Sequence, residues 1–466
     1  MIKLSTAEVA AALNGRLVQR QVNTDLDVTG SVETDSRLVG AGSLFFARPG
    51  EVTDGHLFVE AAHNLGAVAA VVDHEVNVPI AQIVVEDVTV ALGVLAKFVL
   101  SRIREKSDLK VIGITGSNGK TTTKNMLRAI LSQVGETIAP IESYNNEVGA
   151  PISILKANFN TKFLVVELGA GGPGSIAYLT DIAKPDLAVM LKVGLAHVGE
   201  FGGIEGTAKI KAELASALSD ENLFIGNADD GYVREMATKA KTVWFGTAPD
   251  AGYRAEDLQL DITGTSFEMH WPNGEVQRIT LQILGEHHVM NALAACAVAD
   301  QLGVSHRLIQ SALESMPLAE RWRMQLTNRS DGISIINDAY NASPDSMKAA
   351  LQTLAQLGKS GRRTIAILGE MAELGPFSRE QHDAIGRIVV RLNIDQLVVV
   401  GEGAKLIHMG AEQEGSWGGE SKYFESIAEA LAYVRGMLVA GDIVLVKSSK
   451  SANLRHLGDD LLEVQP

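Results

Sequence analysis

The stretch KVIGITGSNGKTTTK, residues 110–124, decides how the rest of the chain is read. Its first half is a β-branched run that suits a strand covered on both faces, and its second half opens a helical pattern, KTTTKNMLRAILSQ. A glycine-rich turn joins them. Glycines let backbone N–H groups wrap phosphate oxygens, the helix N-terminus adds its positive end, Lys120 sets a point charge on the outer phosphates, and Thr121 can ligate magnesium. The generic G-x-x-x-x-G-K-[ST] pattern expects its first glycine where this chain has Ile114, with Gly113 and Gly116 on either side. This is a variant phosphate loop, and the bland alternative is a strand-to-helix turn that binds nothing.

Downstream to about residue 316 the pattern keeps alternating: FLVVELGA, LAVMLKV followed by a helix through IKAELASAL, then NLFIGNA and TVWFG. Such alternation predicts a mostly parallel sheet with covering helices. Between 256 and 284 the runs DLQLDITGTSFEMHW and EVQRITLQI have period two around Pro272-Asn273-Gly274, which predicts an antiparallel insertion with a hairpin. The helices VMNALAACAVADQLG and HRLIQSALESM follow, and Pro317 marks a boundary. Beyond it ISIIND, RTIAILGE, QLVVVGE and DIVLVKSS read as strands of a doubly wound domain, with Ser343-Pro344-Asp345 starting a helix. Upstream, SLFFA and AVAAVV flank a helical FVEAAHNLGA, and a helix over 88–103 leads into the phosphate-loop strand. The expectation is an α/β protein of three domains: 1–85 small, 86–316 central, and 317–466 Rossmann-like.

Composition narrows the function. The 466 residues carry 41 Lys plus Arg against 56 Asp plus Glu, a formal charge of −15, which disfavours a diffuse basic footprint for nucleic acid or anionic lipid. Cys296 is the single cysteine, so there is no internal disulfide and no cysteine-rich zinc site. No apolar run approaches the roughly 18 residues of a membrane span. The expectation is a cytoplasmic protein that holds anionic ligands by local sites.

Further candidates lie at strand ends. Glu167 closes FLVVE at the carboxyl edge of the sheet, where open α/β sheets bind ligands, and a carboxylate there can hold magnesium bridging ATP phosphates. His197 follows another apolar strand in KVGLAHVGEFGG and could ligate a second metal, though a lone histidine is commonly structural. Lys211 sits on an Ala-rich helix, where a lysine is ordinarily a solvated face. ERWRMQ (320–325) and NDAYNASPDSM (337–347) flank the first strand of the third domain; an arginine of the first run can fork onto phosphate oxygens, and Asp338 and Asn341 are in reach of a ligand crossing the domain cleft.

Taken together these residues resemble the Mur ligase family, ATP-dependent amide-forming enzymes of peptidoglycan precursor synthesis, over essentially the whole chain. TGSNGKTT is similar to that family's phosphate loop, so the resemblance implies ATP binding by Gly116, Ser117, Asn118, Gly119, Lys120, Thr121 and Thr122. It further implies two magnesium ions held by Thr121, Glu167, His197 and Lys211, the last as a carbamate, with Lys120, Glu167, His197 and Lys211 catalytic. HHVMNALAA resembles the adenine-contacting segment, with Asn291 matching and His288 standing where a second Asn is often found. Arg323, Asp338 and Asn341 would reach ATP from the third domain. Within the family, SYNNEVGAP (143–151), NDAYNASPDSM and LGEMAELG (368–375) resemble the member that joins D-alanyl-D-alanine to UDP-N-acetylmuramoyl-tripeptide through an acyl phosphate. TDSRLVGAGSLFFARPGEVTDGHLF resembles its UDP-binding domain, which implies Ser36 and Arg37 at the uridine-diphosphate end and Asn145 and Asn146 at the muramoyl-peptide. Both substrates are small molecules; a monomer is expected, with no nucleic-acid or membrane partner. Two alternatives stay open: a related ligase such as a folylpolyglutamate synthetase, and a P-loop ATPase that merely switches conformation.

Overall fold

The strand Lys110–Thr115 is buried from Val111 onward, because its side chains alternate between two apolar layers. Val111 joins a core with the helices Val88–Arg104 and Ser175–Ala183; Ile112 and Ile114 join the opposite core with the helices Lys120–Leu131 and His287–Gln301. Strand Phe163–Glu167 repeats the division, Leu164 and Val166 facing the first layer and Phe163 and Val165 the second. Glu167 follows in the second phase, so its carboxyl faces the helix that the phosphate loop starts.

The computed structural model describes residues 1–19, 25–50, 53–140, 144–196, 198–316, 321–414 and 420–463. Among these, the large sheet has nine strands, with Lys110–Thr115 between Leu187–Met190 and Phe163–Glu167; Leu223–Asn227 and Lys241–Gly246 continue it in parallel. The antiparallel strands Tyr253–Asp261, Gly264–His270 and Val276–Leu281 do not form a separate layer: Tyr253–Asp261 pairs with Lys241–Gly246, so they extend the sheet at its edge. The run 256–271 breaks into two strands because Asp261 accepts the backbone N–H of Thr263 and turns the chain before Gly264. Pro272-Asn273-Gly274 makes the next hairpin turn, with Gly274 at φ +87°.

The N-terminal sheet places Leu44–Phe46, Ala69–Val72 and Ala81–Val84 in parallel, with Arg16–Gln19 antiparallel at one edge. In it His56 has both ring nitrogens engaged, Nδ1 with Asp54 and Nε2 with the Asp73 N–H, which explains its burial beside Asp73 and His74 as structural. In the C-terminal sheet Ser334–Asn337, Ile443–Lys447, Thr364–Leu368, Gln396–Val400 and Ser421–Phe424 run parallel, with Gln325–Asn328 antiparallel at the edge. Pro317 lies outside the described residues. Among the described residues, no helix is long and apolar enough to cross a membrane.

Candidate active site

The phosphate loop works through two glycines. Gly116 at φ +151° and Gly119 at φ +88° adopt backbone that L side chains rarely take, and a Cβ on Gly119 would run into Asn291 Oδ1. Ser117 fixes the loop to the neighbouring strand end: its N–H donates to Lys192 O at 2.7 Å and its Oγ accepts the Gly194 N–H at 2.8 Å. Lys120 folds back over the loop, Nζ donating to Gly116 O at 2.8 Å. Burial lowers the proton affinity of Lys120, Glu167 works against that, and Arg323 adds to it.

Beneath the loop, Thr121 Oγ1 donates to Glu167 Oε2 at 3.3 Å, and Lys124 Nζ lies 2.8 Å from Glu167 Oε1 with both side chains buried. Lys124 was not among the sequence candidates. Its signal was available: helix Lys120–Leu131 buries Thr123, Met126, Leu127 and Ile130, and Lys124 falls on that apolar stripe. Lys211 is also buried, and among the described residues no carboxylate pairs with it; burial, then the nearby Lys120 charge, holds its amine well below the ordinary lysine range. The solvated-face reading of Lys211 is therefore set aside. His197 lies outside the described residues. A hydroxyl and a carboxylate converging beside a phosphate loop form a hard-oxygen set that suits Mg2+.

The third domain closes the site. A cavity of about 450 Å3 is lined by Asn118, Lys120, Thr121, Asn291, Arg323 and Asp338, with Ser117, Gly119, Thr122, Asn145 and Asn341 also on its wall. Arg323 lies over the Tyr340 ring at 4.3 Å, between Trp322 and Met324, which both take positive φ (+65° and +47°). Asp338 receives Lys447 Nζ at 2.6 Å and the Met324 N–H at 2.9 Å, so it positions the Arg323 segment. The Asn341 carbonyl accepts from the same Lys447, 3.0 Å away. Asp345, at the start of the helix Pro344–Gly358, crosses to the central domain and accepts the Leu195 N–H at 2.8 Å, with Lys192 Nζ at 3.4 Å from its other oxygen. Ser343 Oγ reaches Asn118 Oδ1 of the phosphate loop at 3.4 Å.

The remaining candidates lie elsewhere. Ser36 and Arg37 do not line the cavity; Arg37 is exposed and bound to Asp35, whose carboxyl it holds down to about 2. Asn145 faces the cavity, whereas Asn146 spends its side-chain oxygen on the N–H groups of Val148 and Gly149, at 3.3 and 2.8 Å, before the helix Gly149–Ile154. Asn291 and His288 are buried together at the cavity wall, their Nδ2 and Nδ1 atoms 3.4 Å apart.

Comparison with known proteins agrees across the chain. The family model for the Mur ligase middle domain matches residues 114–299, that for the Mur ligase glutamate ligase domain 322–450, and that for the Mur ligase family catalytic domain 29–103. A UDP-N-acetylmuramoyl-tripeptide–D-alanyl-D-alanine ligase of Mycobacterium leprae is 40% identical, covering 99% of both chains, and that of Bacillus subtilis is 34% identical with the same coverage. The crystal structure of MurF from Acinetobacter baumannii superposes with a TM-score of 0.90 at 32% identity over 100% of both chains. A folylpolyglutamate synthase of Mycobacterium tuberculosis shares the fold, with a TM-score of 0.60 at 18% identity over 80% of this chain and 96% of its own.

Proposed function

The chain belongs to the Mur ligase family, and we propose that it joins D-alanyl-D-alanine to UDP-N-acetylmuramoyl-tripeptide at the expense of ATP, giving the UDP-muramoyl-pentapeptide, ADP and phosphate. The observation that carries this reading is the convergence of the phosphate loop and the third-domain pair Arg323 and Asp338 around one cavity, with Glu167 bonded to Thr121 of its wall, in a chain similar over its full length to ligases of that name.

Gly116 to Thr122 cradle the ATP phosphates with backbone N–H groups, and Lys120 leaves Gly116 O for the outer phosphates. Asn291 takes the adenine side, while Arg323, Asp338 and Asn341 bring the third domain onto the nucleotide. A carboxylate oxygen of the tripeptide bonds to the γ-phosphorus as the bond to ADP breaks; the dipeptide amine then bonds to the acyl carbon, phosphate leaves, and the amine nitrogen gives up a proton. Two anions must meet in the first step, so cations have to lie between them in a water-poor space. Mur ligases use Mg2+, and when bound it neutralises phosphate charge beside Thr121 and Glu167. A second ion is part of the proposal, held by His197 and by Lys211 as its carbamate; the neutral amine that burial favours at Lys211 is the form that takes up carbon dioxide. Closing Ser343 and Asp345 onto the central domain excludes water from the acyl phosphate.

Ser36 and Arg37 are assigned to the uridine-diphosphate end and Asn145 and Asn146 to the muramoyl-peptide, with the chain divided at residues 85 and 316. A cytoplasmic monomer completes the proposal. The test is phosphate release from ATP with Mg2+ and UDP-N-acetylmuramoyl-tripeptide, with and without D-alanyl-D-alanine, together with mass spectrometry of the product. Release that needs both and yields the pentapeptide is expected. Release that ignores the dipeptide, or yields no new amide, moves the assignment to another ligase of this fold or to a conformational switch. Lys120→Ala and Glu167→Ala should each abolish amide formation in a folded protein, and undiminished turnover in either would sink the assignment.

A further inference from the structure

Helix Lys120–Leu131 carries Lys120 and Lys124 one turn apart, and the two have different partners. Lys120 reaches the loop carbonyl of Gly116, whereas Lys124, with 1% of its side chain exposed, meets Glu167 Oε1 at 2.8 Å. An ammonium on the apolar stripe of a helix is costly to bury unless its partner is fixed and close. Here the partner comes from strand geometry: Glu167 pairs in register with Ile114 and faces this helix, so the carboxylate is offered to the stripe directly.

We propose that Lys124 is the positioning residue of the metal-binding carboxylate: by holding Glu167 through Oε1 it leaves Oε2 turned toward Thr121 and the phosphate loop. This rests on the role given to Glu167 above. The two lysines divide one task. Lys120 must be free to move onto the nucleotide phosphates, and it already feels the Glu167 charge. Without Lys124, the Glu167 charge that already acts on Lys120 draws on it more strongly, and the acid turns from the metal side while the phosphate-binding lysine is diverted. An arrangement in which Lys124 merely ties helix to strand makes no such demand on the orientation of Oε2.

The test uses ADP, so that nothing turns over. Calorimetric ADP binding is measured over a Mg2+ series for the full chain and for Lys124→Met, Lys124→Arg, Glu167→Gln and the Lys124→Met/Glu167→Gln double variant, each first shown to unfold cooperatively on heating. Lys124→Met is expected to raise half-saturating Mg2+ by about tenfold, the scale seen when a partner behind a metal ligand is removed. Glu167→Gln should shift it at least as far, and the double variant no further than Glu167→Gln alone. A Lys124→Met protein with the parent's Mg2+ dependence overturns the proposal, as does a double variant whose shift is the product of the single ones. Should Lys124→Met not fold, Lys124→Arg keeps the charge but moves the donor and should raise half-saturating Mg2+ by about threefold; no change overturns the proposal. If Glu167→Gln itself leaves the Mg2+ dependence untouched, the metal role of Glu167 fails first, a result distinct from failure of Lys124 alone.

Discussion

Lys211 stands where an amine is costly: buried, next to the charge of Lys120, with no carboxylate paired to it among the described residues. Replacing it with methionine keeps the stem and removes the buried amine, so Lys211→Met should stabilise the fold by about 1–3 kcal/mol while turnover falls by at least about 100-fold. Thermal unfolding and phosphate release measured side by side decide the point; a variant that is more stable and fully active would make Lys211 a structural residue. His287, on the wall of the cavity beside the phosphate loop, behaves differently. Burial pushes its imidazole down to about 4, against a pull from Asp338 and with smaller pushes from Lys447 and Lys192. Since unfolded histidine titrates near 6.5, the unfolded chain binds the extra proton between these values, and stability rises with pH through that window. His287→Phe should remove about 2 kcal/mol of the difference in unfolding free energy between pH 7 and pH 4.5. Chemical denaturation at the two pH values measures it, and an unchanged difference would show that the histidine is not the titrating group.

At the scale of elements, the phosphate loop was legible in the sequence because its information is local: glycines, a lysine and a threonine between a β-branched strand and an amphipathic helix. Gly119 shows how tightly that code is enforced. At φ +88° and against Asn291, it leaves an alanine both strained and without room, so Gly119→Ala should cost about 1–3 kcal/mol and weaken ADP binding by about tenfold or more. Calorimetry of ADP binding checks this, with parent-like affinity as the contrary result. What escaped the sequence was non-local. Lys124 shows its burial by lying on the apolar stripe of its helix, but its partner emerges only when the strand phase of Glu167 is laid against that stripe. Lys447 ends DIVLVK like a strand terminus, and only the neighbouring strand shows that it neutralises Asp338. The run 256–271 alternates without a visible break, since the turn depends on the Asp261 side chain folding back onto Thr263. Ser36 and Arg37, which family likeness assigns to the uridine-diphosphate end, sit in the short helical turn Ser36–Leu38 between strands of the N-terminal sheet, apart from the cavity.

For the whole molecule, the question is what holds the third domain against the second. The described contacts are few and polar at the phosphate-loop side: Asp345 to Leu195 N–H and Lys192, and Ser343 to Asn118. Asp345 is the first-turn acid of its own helix, a role worth about 0.3–1 kcal/mol. Its longer reach makes it a latch between domains, because one carboxylate answers both a backbone N–H and a lysine on the strand-end loop that also receives Ser117. Reversing its charge tests the latch without touching the nucleotide's phosphate contacts. Asp345→Lys sets like charges against Lys192 and leaves the Leu195 N–H without its acceptor, so the domains should part. Small-angle scattering with ADP and Mg2+ should show a larger radius of gyration than the parent, and turnover should fall by about tenfold or more because Arg323 is carried away with its domain. ADP affinity, set mainly by the loop and Lys120, should change far less. An Asp345→Lys protein as compact and as active as the parent would mean that closure is held by the apolar contacts between Val198 and the third-domain core instead.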